Sequence, residues 1–481
     1  MRRFYDENMK TVAGLAPQAV LRHFAALSCV PRGSGHTRQV SDFCAAFARE
    51  RGLRYAQDAV GNVVIYKNGS PGREAEPPVI LQGHMDMVID RDPGCGETME
   101  TDGVRLRVSG DWLTAAGTTL GGDDGIAVAM CMALLEDDGL SHPPLEVVFT
   151  IDEETGMEGV RALDPALLTG RRMLNLDSEA EGTLWVSCAG GARIDLTLPA
   201  EPAPAAGCAY HVAFTGFHGG HSGAEIHQGY ANTIHQLAAC LRRIKGVRLI
   251  SMLGGSADNA IPRDAAAEIL TAAPLDPALA EAWTALLRKD CPHDPDLQVE
   301  IAAIPLPETA WSPAASARAL ALLDALPDGV QAMSKAMPEL VETSLNLGML
   351  RLDAAGLRAT LSVRSSVDAD REALQNRLEQ IAGGFGAGFA LRSPYPAWEY
   401  RADSPVRDCM CDVYQKLFGK APAVTAIHAG LECGIFSGKL PGLDCVSFGP
   451  DLLEIHTPRE RLSLGSTQRT WQLLCAVLAA L

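Results

Sequence analysis

The chain lacks the features that point to a membrane or nucleic-acid partner. It has no run of about 18 apolar residues, and its N-terminal MRRFYDENMK has no apolar signal-peptide core. Basic residues are the minority, with 41 Lys and Arg against 59 Asp and Glu, and the net charge is −18. No basic stripe offsets this acidity. We therefore expect no nucleic-acid partner, no membrane association and a cytoplasmic location.

Cysteine spacing excludes two further classes. The chain has 13 cysteines but no CxxC pair, and the closest two, Cys409 and Cys411, flank Met410. Neither a zinc-finger grid nor a thioredoxin-like motif is therefore indicated. The odd total and the length of the chain fit reduced thiols better than a disulfide framework.

What the sequence does contain is an alternation of short apolar strands with helices. The predicted strands are 62–66, 79–83, 145–151, 172–176 and 444–448, and the helices beside them include 125–137, 406–418 and 468–480. This order predicts an α/β fold with a mostly parallel sheet flanked by helices. Since 481 residues exceed the roughly 250–300 at which single cores stop growing, we expect two domains.

The second domain is predicted as an insertion. The pattern of strands and helices changes at the proline-rich PAEPAPAAG (199–207), and the first pattern returns at 393–405. Between them, more polar strands alternate with amphipathic helices around 229–244, 277–289, 314–326 and 369–382. We therefore predict a catalytic domain split into residues 1–188 and 399–481, with an inserted α+β lid domain at 189–398.

One strand ends in an unusual polar pair. In VILQGHMDMV (79–88), His84 and Asp86 follow an apolar run and, two positions apart, share one face of the strand. Alone, this pair is most simply a buried histidine satisfied by its neighbour.

Acidic clusters in similar positions favour a functional interpretation. Asp123 and Asp124 precede a helix in GTTLGGDDGIAVAM, Glu153 and Glu154 follow a strand in TIDEETG, and Asp177 ends another strand. A helix cap or a solvated turn could explain each cluster singly. Together with His84 and a distant loop histidine, His456, they provide imidazole and carboxylate ligands that suit Zn²⁺, Mn²⁺ or Co²⁺. Four or five such ligands are enough for two cations about 3.5–4 Å apart that share one carboxylate.

These motifs resemble a known family. The order of VPRGSGH (30–36), GTTLGGDDGIA (117–127), GGHSGAEIHQG (219–229), NAIPR (259–263) and HAGLECGIF (428–436) is similar to that of dinuclear metallopeptidases. That family includes carboxypeptidase G, aminoacylase and peptidase T, and the resemblance is greatest to its aminoacyl-histidine (Xaa-His) dipeptidase branch. It runs over nearly the whole chain.

The resemblance implies a role for each matching residue. His84 and Asp177 would bind one metal ion, Glu154 and His456 the other, and Asp123 would bridge them. Asp86 would orient the imidazole of His84, and Glu153 would be the general base. The expected cofactors are two divalent ions, zinc first, with manganese or cobalt as alternatives.

The resemblance also implies substrate-binding residues. His221 would stabilise the oxyanion, Asn259 and Arg364 would contact the substrate backbone and its carboxylate, and Glu432 would lie near the metals or the substrate amine. Arg364 could equally form a surface ion pair, and His428 could be structural. The expected substrates are dipeptides with a free N-terminus, including Xaa-His, and a homodimer is possible. Alternatives of the same fold are an N-acyl amino acid amidohydrolase and a tripeptide aminopeptidase, and a binding-only protein is the alternative of a different class.

Overall fold

The computed structural model describes residues 3–481, which divide into two compact units. The first unit contains the chain through Ser187, then Tyr400–Ala426 and Ile435–Leu481. The second contains Cys188–Glu399 and Ile427–Gly434. The second unit thus interrupts the sequence of the first.

An eight-stranded sheet organises the first unit. Its spatial order is Arg54–Gln57, Val63–Lys67, Leu145–Thr150, Val79–His84, Arg172–Asn175, Asp444–Ser447, Thr183–Cys188 and Ala423–Ile427. The four central strands run parallel, as predicted. Antiparallel pairing occurs toward both edges. The hairpin joining Arg54–Gln57 to Val63–Lys67 accounts for part of it, because a short connection can link only antiparallel strands.

Helices pack around this sheet. The α-helices of the first unit are Tyr5–Thr11, Gln18–Ser28, Arg38–Glu50, Met99–Asp102, Gly122–Glu136, Glu158–Ala162, Pro405–Phe418 and Leu464–Ala480. The helix Glu432–Lys439 crosses the division between the units. Every residue of Gly122–Leu135 is buried, which is typical of a helix that is apolar all round. It packs against the helix Gln18–Ser28 and the strand Val79–His84.

The carboxyl ends of the four central strands meet at one edge of the sheet. These are the positions where His84, the segment Asp152–Glu154, Asp177 and the loop leading to His456 follow their strands. Parallel α/β sheets present their functional residues at this edge. The fold of the first unit therefore collects the predicted ligands of four separate chain segments.

A small antiparallel sheet supports the last of these segments. Its order is Leu452–Leu453, Arg461–Ser463, Trp112–Ala115 and Leu106–Ser109. The first two strands form a hairpin, and His456 lies in its loop. This sheet anchors both ends of the histidine-bearing loop.

The second unit is an α+β structure, as predicted. Its nine-stranded antiparallel sheet has the order Gln298–Ile304, Cys208–Thr215, Ala265–Thr271, Arg248–Gly254, Val341–Asp353, Gly356–Ser365, Gly190–Pro199 and Gly388–Tyr395, with Gly329–Met333 paired to Val341–Asp353. Two separate two-stranded antiparallel sheets pair Pro202–Pro204 with Thr309–Trp311 and Gly220–His221 with Ala260–Ile261. The α-helices of this unit are Thr233–Arg242, Leu279–Asp290, Pro313–Ala325 and Asp368–Gly384, and they share one apolar core with the nine-stranded sheet.

All thirteen cysteines are free thiols, and Cys409 and Cys411 are half-buried in the helix Pro405–Phe418. Burial raises the pKa of both of these thiols.

Across residues 3–481, none of the helices combines the length and the apolar character that crossing a membrane requires.

Candidate metal centre

Both ring nitrogens of His84 face carboxylates. Nδ1 lies 3.3 Å from Oδ1 of Asp86, while Nε2 lies 3.1 Å from Oδ1 of Asp123 and 3.6 Å from Oδ1 of Asp177. The side chains of His84 and Asp86 are 1% and 0% exposed. Because Asp86 occupies one nitrogen, the other is directed to Asp123 and Asp177, which is the orientation that a metal-binding histidine needs.

Asp123 stands between two histidines. Its Oδ1 faces His84, and its Oδ2 lies 3.2 Å from Nε2 of His456. The same nitrogen of His456 lies 2.9 Å from Oε1 of Glu154. Each oxygen of one carboxylate is therefore directed to a different histidine.

Two groups of potential ligands share this carboxylate. One consists of His84, Asp123 and Asp177, and the other of Asp123, Glu154 and His456. Within each group the ligand atoms lie within 4.8 Å of one another. Imidazole nitrogen with carboxylate oxygen is a donor set that fits zinc and similar divalent ions. A shared carboxylate is what a pair of neighbouring cations requires.

Glu153 lies outside the two groups that share Asp123, but it forms a third potential group with His84 and Glu154. Its backbone N–H donates to Oδ1 of Asp86 at 3.2 Å. Its carboxylate lies within 4.8 Å of ligand atoms of His84 and Glu154. The two adjacent glutamates thus occupy different positions, one facing His456 and the other beside the site.

Protonation follows from these contacts. Burial lowers the pKa of His84, but hydrogen bonds with Asp123 and Asp177 outweigh it and place the pKa well above its ordinary value. Hydrogen bonds with Asp123 and Glu154 raise the pKa of His456 to about 10. Burial raises the pKa of Asp123, but the hydrogen bonds of both histidines bring it below its ordinary value. Because a metal ion binds the neutral imidazole, metal binding at these histidines would compete with their protonation.

Several residues in this region have an uncommon backbone conformation, among them His456 and Asp152. The φ angles of His456 and Asp152 are 61° and 53°, in the left-handed region that few residues other than glycine adopt. Asp152 is held there in part by Gly35, whose N–H donates to Oδ1 at 2.7 Å. Such outliers concentrate at functional sites because the surrounding structure fixes them.

Asp124 belongs to neither of the two potential ligand groups that share Asp123. Its Oδ2 accepts a hydrogen bond of 3.1 Å from the backbone N–H of His84. Burial, followed by the charge of Asp177, raises the pKa of Asp124 well above its ordinary value. Asp124 therefore helps to hold the backbone of His84.

The lid-domain residues named from the sequence lie in the second unit. His221 pairs with Ala260 in a two-stranded antiparallel sheet, next to Asn259, whose carbonyl accepts from Ser222 N–H at 2.8 Å. Nδ1 of His221 accepts the backbone N–H groups of Gly223 at 3.2 Å and Ala224 at 2.9 Å. The proton of the neutral ring must therefore be on Nε2, which makes this nitrogen a hydrogen-bond donor.

Arg364 lies close enough to act on two histidines of this unit. Burial first and the charge of Arg364 second lower the pKa of His221, and the same causes lower that of His428 to about 3. Nη1 of Arg364 donates to the Tyr395 hydroxyl at 3.3 Å, and His428 Nε2 lies 2.7 Å from Ser344 Oγ. The second unit thus brings His221 and Arg364 together.

Glu432 is fully buried at the first position of its helix.

Sequence reasoning gave no role to three charged residues near the ligands, of which Glu179 is only half-buried. Arg32 and Glu460 are each 2% exposed. Burial, then the charges of Asp123 and Asp177, raise the pKa of Glu179 to about 8. The available signals were weak: Arg32 lies in VPRGSGH, Glu460 in HTPRE after His456, and Glu179 just after Asp177.

Comparison with known proteins identifies the class. The model of "Peptidase family M20/M25/M40" matches residues 80–480. The chain therefore belongs to this peptidase family and is a hydrolase, and the resemblance noted in the sequence is confirmed.

Particular relatives match over almost the full chain. The cytosol non-specific dipeptidase of Escherichia coli (strain K12) is 34% identical over 482 residues, which cover 98% of this chain and 99% of the relative. The structure of aminoacylhistidine dipeptidase from Vibrio alginolyticus superposes with a TM-score of 0.90 at 33% identity, covering 98% of each chain. Aminopeptidase PepT from Bacillus cereus, at 14% identity and a TM-score of 0.59 over 97% of this chain and 99% of that one, shares the fold.

Proposed function

We propose that the chain is a dipeptidase that depends on two divalent metal ions. The observation that carries this proposal is Asp123, whose two oxygens face His84 and His456 respectively. The names of the Escherichia coli and Vibrio relatives support a dipeptide substrate. Family membership supports peptide-bond hydrolysis.

The proposed ligands divide between two positions. His84 and Asp177 hold one ion, Glu154 and His456 hold the other, and Asp123 is shared. We propose zinc because nitrogen and oxygen donors suit it, while manganese and cobalt fit the same donors. Bound ions of this kind polarise the substrate carbonyl and lower the pKa of a bound water.

Glu153 is the proposed general base. Its carboxylate borders the ligand groups without being needed by either, so it remains able to accept a proton. In the proposed reaction Glu153 takes a proton from the attacking water and later gives it to the leaving amine. Asp86 keeps the His84 ring oriented throughout, through the contact at Nδ1.

The second unit is proposed to act as a lid that supplies substrate-binding groups. The Nε2–H of His221 is suited to donate to the oxyanion that develops during attack. The guanidinium of Arg364 suits a substrate carboxylate through paired hydrogen bonds. Asn259 and Glu432 are assigned to the substrate backbone and its amino end.

Three broader assignments accompany this function. We propose residues 1–188 and 399–481 as the catalytic domain and 189–398 as the lid domain, to which the second unit adds Ile427–Gly434, with homodimerisation as a role open to the lid. We propose a cytoplasmic location, which the name of the Escherichia coli relative supports. The expected substrates are dipeptides with a free N-terminus, including Xaa-His dipeptides such as carnosine.

A substrate and metal panel tests the proposal. Metal-free protein is reloaded with Zn²⁺, Mn²⁺ or Co²⁺ and assayed on Ala-His, carnosine, a tripeptide and an N-acetyl amino acid. Metal-dependent hydrolysis that is fastest on dipeptides is expected. Faster turnover of the N-acetyl amino acid would identify an amidohydrolase, faster turnover of the tripeptide an aminopeptidase, and full activity without metal would overturn the mechanism.

A further inference from the structure

The carboxylate of Glu460 accepts hydrogen bonds from the backbone of the loop that carries Asp123. Its Oε2 accepts the N–H groups of Leu120 at 2.8 Å and Gly121 at 3.0 Å, and its Oε1 accepts those of Gly122 at 2.7 Å and Asp123 at 3.3 Å. The residue is 2% exposed. A single buried carboxylate thus satisfies four successive N–H donors, which would otherwise be left unpaired in the interior.

Arg32 holds the same loop from the other side. Its Nη2 donates to the carbonyl oxygen of Gly121, and its Nη1 donates to the carbonyls of Met85 at 3.0 Å and Asp86 at 3.1 Å. The guanidinium therefore joins the Asp123 loop to the strand end that carries His84. Its charge also lies near that of Glu460, since the two groups act on each other electrostatically.

The glycines of this loop make room for both side chains. A Cβ on Gly121 or Gly125 would overlap the guanidinium of Arg32, and one on Gly122 would lie 2.5 Å from Cδ2 of Leu452 and 3.2 Å from Oε1 of Glu460. Gly121 also has a φ of 66°, which favours glycine. Arg32 therefore accounts for Gly121 and Gly125, while Leu452 and Glu460 together leave no room for a side chain at Gly122.

We propose that Glu460 and Arg32 are positioning residues that fix Asp123 so that its two oxygens face the two histidines. Glu460 lies four positions after His456 in the chain, and Arg32 contacts the residues that flank His84. Together they connect three segments that each carry a proposed ligand. This inference rests on the proposed two-metal site, and it adds that the site is organised by residues that do not touch the ions.

Glu460→Gln tests the proposal, because the amide keeps one acceptor oxygen but places an N–H₂ group against N–H donors. The matched control is Glu146→Gln. Glu146 is 5% exposed and likewise accepts backbone N–H groups, from Thr169 at 3.0 Å and Gly170 at 2.9 Å. The loop that contains Thr169 and Gly170 carries none of the proposed ligands.

The readout is the affinity for Zn²⁺, measured by competition with a chelator on metal-free protein, beside the thermal midpoint of each variant. We expect Glu460→Gln to weaken Zn²⁺ binding by about 10–100-fold, as loss of a group that supports metal ligands typically does. Glu146→Gln should lower the thermal midpoint and leave Zn²⁺ affinity unchanged. Turnover of Glu460→Gln should recover as the Zn²⁺ concentration rises.

Two results would overturn the inference. One is unchanged Zn²⁺ affinity in Glu460→Gln, and the other is an equal loss of affinity in Glu146→Gln. If Glu460→Gln does not fold, Glu460→Asp is judged by the same criteria, because its shorter side chain reaches fewer of the four donors. Absence of Zn²⁺ binding in the unmodified chain would instead refute the proposed metal site, so the two failures are distinguishable.

The variant Arg32→Met provides a second, independent test of the proposal. If the two residues act on one loop, the double variant with Glu460→Gln should weaken Zn²⁺ binding by less than the product of the single effects. Independent, multiplying effects would show that the two residues do not position the same ligand.

Discussion

His84 and Asp86 lie side by side at the end of one buried strand, with Nδ1 3.3 Å from Oδ1. The strand periodicity predicts this shared face, but the pair has divided roles, because only the histidine also faces Asp123 and Asp177. Asp86 further accepts hydrogen bonds from Ser34 Oγ at 2.8 Å and from Glu153 N–H. It therefore links the imidazole of His84, a proposed metal ligand, to the segment of the proposed base.

Asp86→Ala should weaken metal binding or turnover by about 10–100-fold without removing a ligand. The imidazole loses the partner that fixes its orientation, so Nε2 no longer faces Asp123 reliably. Metal content and turnover of the purified variant are the measurements. Ser34→Ala is the control and should have a smaller effect, because it removes one hydrogen bond and leaves the carboxylate. Survival of both properties in Asp86→Ala would show that the assigned role is wrong.

The two ligand groups predict different metal stoichiometries. Asp177 belongs to one group and Asp123 to both. Asp177→Asn should therefore leave one tightly bound ion per chain, while Asp123→Asn should weaken both. Elemental analysis after dialysis measures the ratio, with the exposed Asp164→Asn as control. Equal loss in the Asp177 and Asp123 variants would contradict a shared carboxylate.

Glu153→Gln should separate metal binding from catalysis. The amide cannot accept a proton, so turnover should fall by about 10²–10⁴-fold. Metal content should stay near that of the unmodified chain because the ligand groups do not need Glu153. Glu158→Gln, an exposed position in the same region, is the control. Full activity of Glu153→Gln would refute its role as the base.

The sequence predicts more of the ligands than of their supports. The family resemblance implies all five proposed ligands because each lies in a matching motif: His84, Asp123, Glu154, Asp177 and His456. The contacts of Arg32 and Glu460 could not be predicted, because hydrogen bonds between residues far apart in the chain leave no local pattern.

The edges of the large sheet show the same limit. Apolar runs such as 62–66 predict a strand but do not reveal its direction. That depends on the strand with which each run pairs, and the antiparallel edge strand Val63–Lys67 is an example. The parallel central strands were predictable because helices intervene between them.

His221 should affect the rate more than substrate binding. Its Nε2–H is fixed as a donor by the two hydrogen bonds at Nδ1, and an oxyanion exists only as the reaction proceeds. His221→Ala should lower kcat by about 10²–10³-fold with little change in KM. The exposed His227→Ala is the control.

Gly223→Ala tests the same histidine while retaining its ring. A Cβ there would lie 3.0 Å from Cε1 of His221 and 2.7 Å from the carbonyl oxygen of His428. We expect a smaller fall in kcat because the ring is displaced. A rise in KM alone, in either variant, would argue for ground-state binding instead.

Glu136 offers a pH-dependent test of stability in the first unit. Its carboxylate pairs with Arg22 and with Arg51, whose Nη2 lies 2.9 Å from Oε1. Its Oε2 also lies 2.8 Å from Nε2 of His23. Burial raises its pKa, but the hydrogen bonds of Arg51 and His23 outweigh it and lower the pKa from 4.5 to about 2. A carboxylate with a lowered pKa in the folded state stabilises that state fully above its unfolded pKa, and the stabilisation is lost as the pH falls toward the folded value.

Glu136→Gln should therefore lower the urea midpoint at pH 7, and the difference from the unmodified chain should shrink between about pH 4.5 and pH 2. Urea unfolding measured across that range checks both statements. Asp138→Asn is a suitable control, since its side chain is 97% exposed, and its effect should be small at every pH. A difference for Glu136→Gln that stays constant from pH 7 down to pH 2 would mean that packing, and not the charge of Glu136, accounts for the loss.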